Sequence, residues 1–253
     1  MKNALPRNWL TDLLLAGVLL TRLPLPQLPP DAFARGARAV WAYPVAGTLL
    51  GLVAGAVGQT LLALGLPAVF AAGGVLAVLM LLSGAMHEDG LGDTADGFWG
   101  GQTAARRLEI MKDSHIGTYG LLALGVTTGL RWSAYAALIP LGIWPVVAAA
   151  ALSRAAMPCV MAGLPHARDT GLSLSVGQPD GRAAVTALVL AVVIGLASVG
   201  PAAVGGLLSA LTATLGVGLI AHRKIAGQTG DVLGAVQQVS ELAVLTSFVL
   251  ILT

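Results

Sequence analysis

Asp89, Asp93 and Asp96 lie within the run His87-Glu88-Asp89-Gly90-Leu91-Gly92-Asp93-Thr94-Ala95-Asp96-Gly97. Spacings of four and three residues place the three carboxylates on one face of a helix. Six of the chain's 12 acidic residues fall between Glu88 and Asp113. Carboxylates so crowded repel one another unless water screens them or a cation sits between them, and a metal ion with a phosphate substrate is the more economical arrangement. Magnesium suits it, because it takes oxygen ligands and commonly only one or two protein carboxylates, leaving room for water and phosphate. Asp113 is a further candidate from the next segment. Gly90, Gly92 and Gly97 permit close approach of a ligand or a break in the helix. His87 adjoins the carboxylates as a candidate base or ligand. A solvated helix end is the plainer alternative for the whole cluster.

Two other segments carry groups that bind phosphate. Arg106-Arg107-Leu108-Glu109-Ile110-Met111-Lys112-Asp113-Ser114-His115-Ile116-Gly117-Thr118-Tyr119-Gly120 supplies three cations, the hydroxyls of Ser114, Thr118 and Tyr119, and two glycines. Such a stretch can hold phosphates through charge-assisted bonds and amides near a helix start. Near the C-terminus, Lys224-Ile225-Ala226-Gly227-Gln228-Thr229-Gly230-Asp231 offers a turn, a hydroxyl and a carboxylate. Arg131, Arg154 and Glu241 lie inside otherwise apolar segments, where an unpaired charge costs several kcal/mol, so each needs a partner or a cavity. Arg154, about mid-span, is placed to meet an anionic substrate or a carboxylate. Arg131, toward the opposite end, is expected to snorkel. His115, His166 and His222 are weaker candidates than His87.

The elements that must position these groups are membrane helices. The chain is 56% hydrophobic and 10% charged, against about 25% charged for soluble domains. Long continuous apolar runs exclude a β-barrel, whose strands alternate, and 33 glycines suit closely packed membrane helices. A net charge of +2 gives no case for nucleic acid, and Cys159 alone supports neither a disulfide nor a thiolate metal site. Asp12 and Arg22 bound a first apolar run too short to span a bilayer, so residues 9–20 read as an interfacial or buried helix rather than a cleaved signal. The expected fold is all-α: a polytopic helical membrane protein, one integral-membrane catalytic domain over residues 1–253. About seven transmembrane helices are expected, near 42–65, 67–86, 118–139, 143–163, 183–199, 201–221 and 236–252, with short interfacial or cytoplasmic helices between them.

Three connections, Gly65-Leu66-Pro67, Pro140-Leu141-Gly142 and Gly200-Pro201, are tight and uncharged. The others carry Lys2, Arg7, Arg22, Arg35, Arg38, Arg106, Arg107, Lys112, Arg168, Arg182, Arg223 and Lys224. The positive-inside rule then puts the N-terminus and the acidic cluster in the cytoplasm, with the site built from cytoplasmic loops and helix ends.

In the order and spacing of these landmarks the chain resembles the cobalamin synthase family, adenosylcobinamide-GDP ribazoletransferase. The resemblance runs through Thr21-Arg22-Leu23-Pro24, Tyr43-Pro44-Val45-Ala46-Gly47, the long acidic motif, Ile110-Met111-Lys112-Asp113-Ser114, Ser153-Arg154-Ala155 and Gly227-Gln228-Thr229-Gly230-Asp231-Val232-Leu233-Gly234-Ala235. It implies a magnesium-dependent enzyme of the bacterial inner membrane. Such an enzyme joins adenosylcobinamide-GDP to α-ribazole or its 5′-phosphate, releases GMP and completes the nucleotide loop of adenosylcobalamin or its phosphate. On that basis Asp89, Asp93 and Asp96 are the expected magnesium ligands, and His87, Lys112 and Asp113 join them as catalytic candidates. Arg22, Arg106, Ser114, Thr118, Arg154, Thr229 and Asp231 are expected to bind substrate. The expected partners are the two substrates and the lipid bilayer, with a homo-oligomer or other cobalamin-assembly enzymes as further associations. Against the family's pattern, Gly92 stands where alanine is common, His115 where arginine is common, and Ala226 in place of one glycine of a pair. The alternatives are a CDP-alcohol phosphotransferase, whose Asp-Gly-x2-Ala-Arg pattern is absent, a cation-coupled transporter, and a non-catalytic assembly subunit. Transporter sites usually lie mid-membrane rather than at a helix end.

Overall fold

A computed structural model describes residues 8–253, so Lys2 and Arg7 lie outside the described residues. In chain order the α-helices are α1 (Asn8–Leu20), α2 (Gly36–Ala39), α3 (Tyr43–Ala63), α4 (Ala68–Ser83), α5 (Met86–Gly100), α6 (Ala104–Ile110), α7 (Thr118–Leu138), α8 (Trp144–Gly163), α9 (Leu172–Val176), α10 (Gly181–Val199), α11 (Ala202–Ile225) and α12 (Gly230–Leu252). Among the described residues there is no strand, only one isolated parallel bridge between His166 and Gln228. The fold is all-α.

Every segment expected to span is a helix, and the three uncharged turns fall between α3 and α4, α7 and α8, and α10 and α11. Five helical stretches are long and apolar enough to cross a membrane, and six if α4 and α5 are taken together despite the 87° bend between them. The shortfall from seven lies in α4, which has only 16 residues, and in α7, which is 21 residues long but has an interior face carrying Arg131 and Thr127. Hydropathy undercounts a helix whose polar groups are satisfied by its neighbours. Several apolar helices of a multi-pass membrane protein are therefore present.

α8 is the centre of the bundle, with nearly all of its residues buried. Glycines let α3 lie directly against it: a Cβ at Gly47 would strike the Ala150 carbonyl, and one at Gly51 would meet Val147. Close backbone approach through small residues is the usual way membrane helices gain packing energy, since lipid provides no hydrophobic drive between them. The core continues through Leu50, Leu79, Leu138, Leu152 and Phe248.

α1 closes one flank. Its Asp12 is buried, but Arg35 donates to it at 2.7 and 3.0 Å and the Trp41 indole at 3.0 Å. That pairing holds the Arg35 pKa above its ordinary value, chiefly through the hydrogen bond to Asp12.

The sharp exit from α4 is built by two successive left-handed residues, Gly84 (φ 66°) and Ala85 (φ 54°). The Ala85 amide reaches back to the Met80 carbonyl at 2.8 Å, which ends α4 as a Schellman-type cap. α5 therefore leaves α4 at a steep angle, with a bend of 87°, and packs against α7 and α12.

Candidate active site

α5 meets α12 backbone to backbone. A Cβ at Gly90 would meet Asp231 main-chain atoms at 2.7 and 3.0 Å, and one at Gly234 would meet His87 main-chain atoms at 3.1 and 3.2 Å. These two glycines are required by the crossing itself. Their effect is to bring Asp89 and Asp93 of α5 alongside Asp231 in the first turn of α12. Thr229 caps α12 by accepting from the Val232 amide at 3.3 Å and donates its hydroxyl proton to Asp231 Oδ2 at 3.2 Å.

The three carboxylates feel one another. Burial, with the charges of Asp89 and Asp231, pushes Asp93 up to about 7, against a smaller opposing pull from Arg168. A proton or a cation relieves that repulsion. The donor set is all hard oxygen, which fits magnesium. Among the described residues no group of three His, Cys, Asp or Glu side chains is arranged to hold a metal. A site that takes one or two carboxylates and leaves its other positions to water and phosphate has no need of such a group.

Asp96 is used differently. Its two oxygens accept from the Gly117 and Gly120 amides at 2.7 and 2.8 Å, and neither glycine has room for a Cβ beside it. Asp96 thus caps the start of α7 with its negative charge on the positive end of the helix. It remains within electrostatic reach of Asp93, but its oxygens are engaged where those of Asp89 remain at an exposed position.

Beside the carboxylates lies a cavity of about 210 Å³, bounded by the ends of α1, α3 and α8, the start of α5, the segment 166–176 and the start of α12. Four of the expected site residues, His87, Asp89, Thr229 and Asp231, line it. Arg168, weighed from sequence only as a positive flank, also lines it and pairs with Asp231 at 2.9 Å. His166, Ser173 and Gln228 form a wall. Ser173 Oγ donates to Gln228 Oε1 at 2.7 Å, and Gln228 Nε2 lies 2.9 Å from His166 Nδ1. The main chain locks this wall, with the Gln228 amide donating to Pro165 at 2.8 Å and the Ala167 amide to Gln228 at 2.9 Å. Gln228 stands in the Gly227–Asp231 motif, but no local motif joins it to His166 and Ser173, because 166–173 and 228 meet only in the fold.

The segment 104–118 stands apart from the cavity. Lys112, Ser114 and Thr118 are exposed. Lys112 borders a shallow groove that shares Arg168 and Thr170 with the cavity rim. Asp113 is held below the ordinary carboxylate range, mainly by its hydrogen bond with the His115 ring at 2.7 Å. Arg106 pairs with Glu109 at 2.7 Å, both exposed. Arg22 is also exposed and lies against Gly84, in a different recess from the carboxylates.

Beneath the site, two charges expected to act separately share one buried network. Arg131 does not snorkel. It is 1% exposed and donates to Glu241 at 2.6 and 3.0 Å and to Glu88 at 3.1 Å. Carboxylates on both neighbouring helices make the inward position favourable. Arg154 donates to the Ala150 carbonyl at 3.1 Å and lies 3.7 Å from Glu241, while its Nε lacks a hydrogen-bond partner. It does not line the cavity, so its contact is with a carboxylate. Tyr135 and Gln237 donate to Glu241 at 2.7 and 2.6 Å.

The chain has relatives among known proteins. The family model described as cobalamin-5-phosphate synthase matches residues 12–249. A protein of Bradyrhizobium diazoefficiens named adenosylcobinamide-GDP ribazoletransferase is 45% identical over 244 residues, covering 94% of this chain and 93% of that protein. One of Mesorhizobium japonicum with the same name is 41% identical over 250 residues, covering 95% and 93%. No solved structure matches. Neither the CDP-alcohol phosphotransferase nor the transporter alternative finds support in these matches. The chain belongs to the cobalamin-5-phosphate synthase family.

Proposed function

We propose that this chain transfers the phosphocobinamide group of adenosylcobinamide-GDP to α-ribazole or its 5′-phosphate. GMP is released and adenosylcobalamin or its phosphate is formed. The observation that carries the reading is the crossing of α5 and α12 at Gly90 and Gly234, which gathers Asp89, Asp93 and Asp231 beside a cavity.

In the reaction a ribose hydroxyl of the acceptor attacks the phosphorus that bears the cobinamide arm. The bond from that phosphorus to the bridging oxygen breaks, and the oxygen leaves with GMP. The hydroxyl proton passes to a base, and His87 and the carboxylates are the groups at hand. Asp89 and Asp93 would hold magnesium, with Asp231 beside them engaged by Arg168 and Thr229, and the ion would supply charge neutralisation on the pyrophosphate and orient it for in-line displacement. Thr229 fixes the Asp231 carboxylate, and Arg168 adds a cation at the cavity rim. Lys112 lies on the outer groove, where a long pyrophosphate-linked substrate would extend. Asp96 supports the site by anchoring α7 against α5. The enzyme works at the cytoplasmic face of the bacterial inner membrane, where the positively charged loops gather.

The test is GMP release by the purified protein in lipid with both substrates, with and without magnesium. Magnesium-dependent GMP with a matching corrinoid product is expected. No turnover by folded protein at any magnesium concentration overturns the proposal.

A further inference from the structure

Granted the transferase reading above, we infer that the cavity between α8, α9 and the start of α12 seats the nucleoside acceptor. Its benzimidazole base lies in the apolar floor, and its ribose lies against the Ser173–Gln228 wall.

A cavity of about 210 Å³ matches a nucleoside-sized group better than the far larger corrinoid ring. The occupant is therefore a nucleoside-sized group, either the acceptor or the guanosine of the donor. The lining decides between them. Its deeply buried apolar floor is Leu20, Tyr43, Met157, Met161, Val176 and Leu233, all under a tenth exposed, and its buried polar groups are His87 and the Ser173–Gln228–Thr229 wall. Methionine side chains adapt to a flat ring and make favourable sulfur–aromatic contacts. A dimethylated benzimidazole carries two methyl groups and no ring N–H once joined to ribose, so it loses little when enclosed there. Guanine carries several donors and acceptors on its edge, and burying them unpaired among these apolar side chains forfeits their hydrogen bonds to water.

A second observation points to a ligand. His87 is 2% exposed and lines the cavity, yet its Nε2 has no hydrogen-bond partner. Buried polar atoms are nearly always paired, and a ribose hydroxyl provides the missing partner. His87 lies two residues before Asp89, so a hydroxyl bound to it stands beside the carboxylates where phosphorus is attacked. Ser173 and Gln228, 6% and 1% exposed, present further hydrogen-bonding groups to the sugar.

Equilibrium dialysis of the full-length protein in lipid nanodiscs, with α-ribazole and with adenosylcobinamide-GDP separately, tests this. Met157→Phe fills the floor and is expected to weaken α-ribazole about 10-fold or more. Ser173→Ala is expected to weaken it about 3- to 10-fold. Adenosylcobinamide-GDP should bind both variants as it binds the parent. Unchanged α-ribazole affinity in both, or selective loss of the donor, overturns the assignment. Should a variant misfold, Leu172→Cys in a Cys159→Ala background reads the same cavity, since Leu172 lines it and is half exposed. Its alkylation by a maleimide should slow about 10-fold with saturating α-ribazole and stay unchanged with GMP. Absence of protection by α-ribazole, or protection by GMP, overturns the subsite. If the parent protein releases GMP in either of those cases, the transferase reading stands and only the subsite falls.

Discussion

The Arg131 guanidinium and the Glu241 carboxylate sit 2.6 Å apart inside the helix bundle, with 1% and 0% of their side chains exposed. The pair ties α7 to α12, and the second reach of Arg131 to Glu88 at 3.1 Å ties in α5. Two of the helices that carry the site, α5 and α12, are thus fastened from below by one side chain. Removing one partner of a buried pair strands the other, at a cost of about 3–5 kcal/mol. Arg131→Met should lower stability by that order in thermal unfolding in detergent. Arg131→Met with Glu88→Gln should recover part of the loss, because Glu241 keeps Arg154 and no carboxylate is then left without a counter-charge.

Asp96 and Asp93 should part company under mutation. Asp96→Asn retains one acceptor for two amides and leaves one unpaired, a loss of about 1–3 kcal/mol. Any fall in its turnover should follow the loss of folded protein. Asp93→Asn should raise the metal-free melting temperature at neutral pH, because it removes the crowded charge, and lower magnesium-dependent turnover about 100- to 1000-fold, the size expected for loss of one electrostatic element of a transition-state site. GMP release beside a thermal melt for each variant checks both.

Asp93 also sets a pH dependence. Its folded-state pKa, about 7, lies above the ordinary 3.8. The native state therefore holds a proton that the unfolded chain has lost between those values, and metal-free stability should fall as pH rises from about 4 to 7. Magnesium competes with that proton. Its apparent affinity should rise with pH and level off above about 7, and Asp93→Asn should abolish the rise. Isothermal titration at several pH values measures it.

Ala226 ends α11 in the left-handed region at φ 57°. An L side chain there costs about 1–2 kcal/mol, and glycine gives back about 0.4–1 through a freer unfolded chain. Ala226→Gly should stabilise the protein by about 0.5–1 kcal/mol with turnover unchanged, seen as a higher midpoint in thermal unfolding. Ala226, read from sequence as standing in place of one glycine of a pair, holds a backbone conformation that glycine adopts without strain.

The one-dimensional pattern determined the helices and the direction of the charges. Apolar length, proline at the uncharged turns and the gathering of lysine and arginine in alternate loops follow from local rules that need no partner. The acidic motif was equally legible, since its spacing alone puts carboxylates on one face. Tertiary structure decided which carboxylates meet. Asp231 joins Asp89 and Asp93 only because Gly90 and Gly234 let two helices touch, whereas Asp96 turns its oxygens to the start of α7. Arg131 shows the same limit from the other side: its place in an apolar run suggested escape to the surface. Its true environment is fixed by Glu88 and Glu241, 43 and 110 residues away in the chain. Charge pairing and cavity walls are set by contacts between distant segments, and periodicity within one segment carries no record of them.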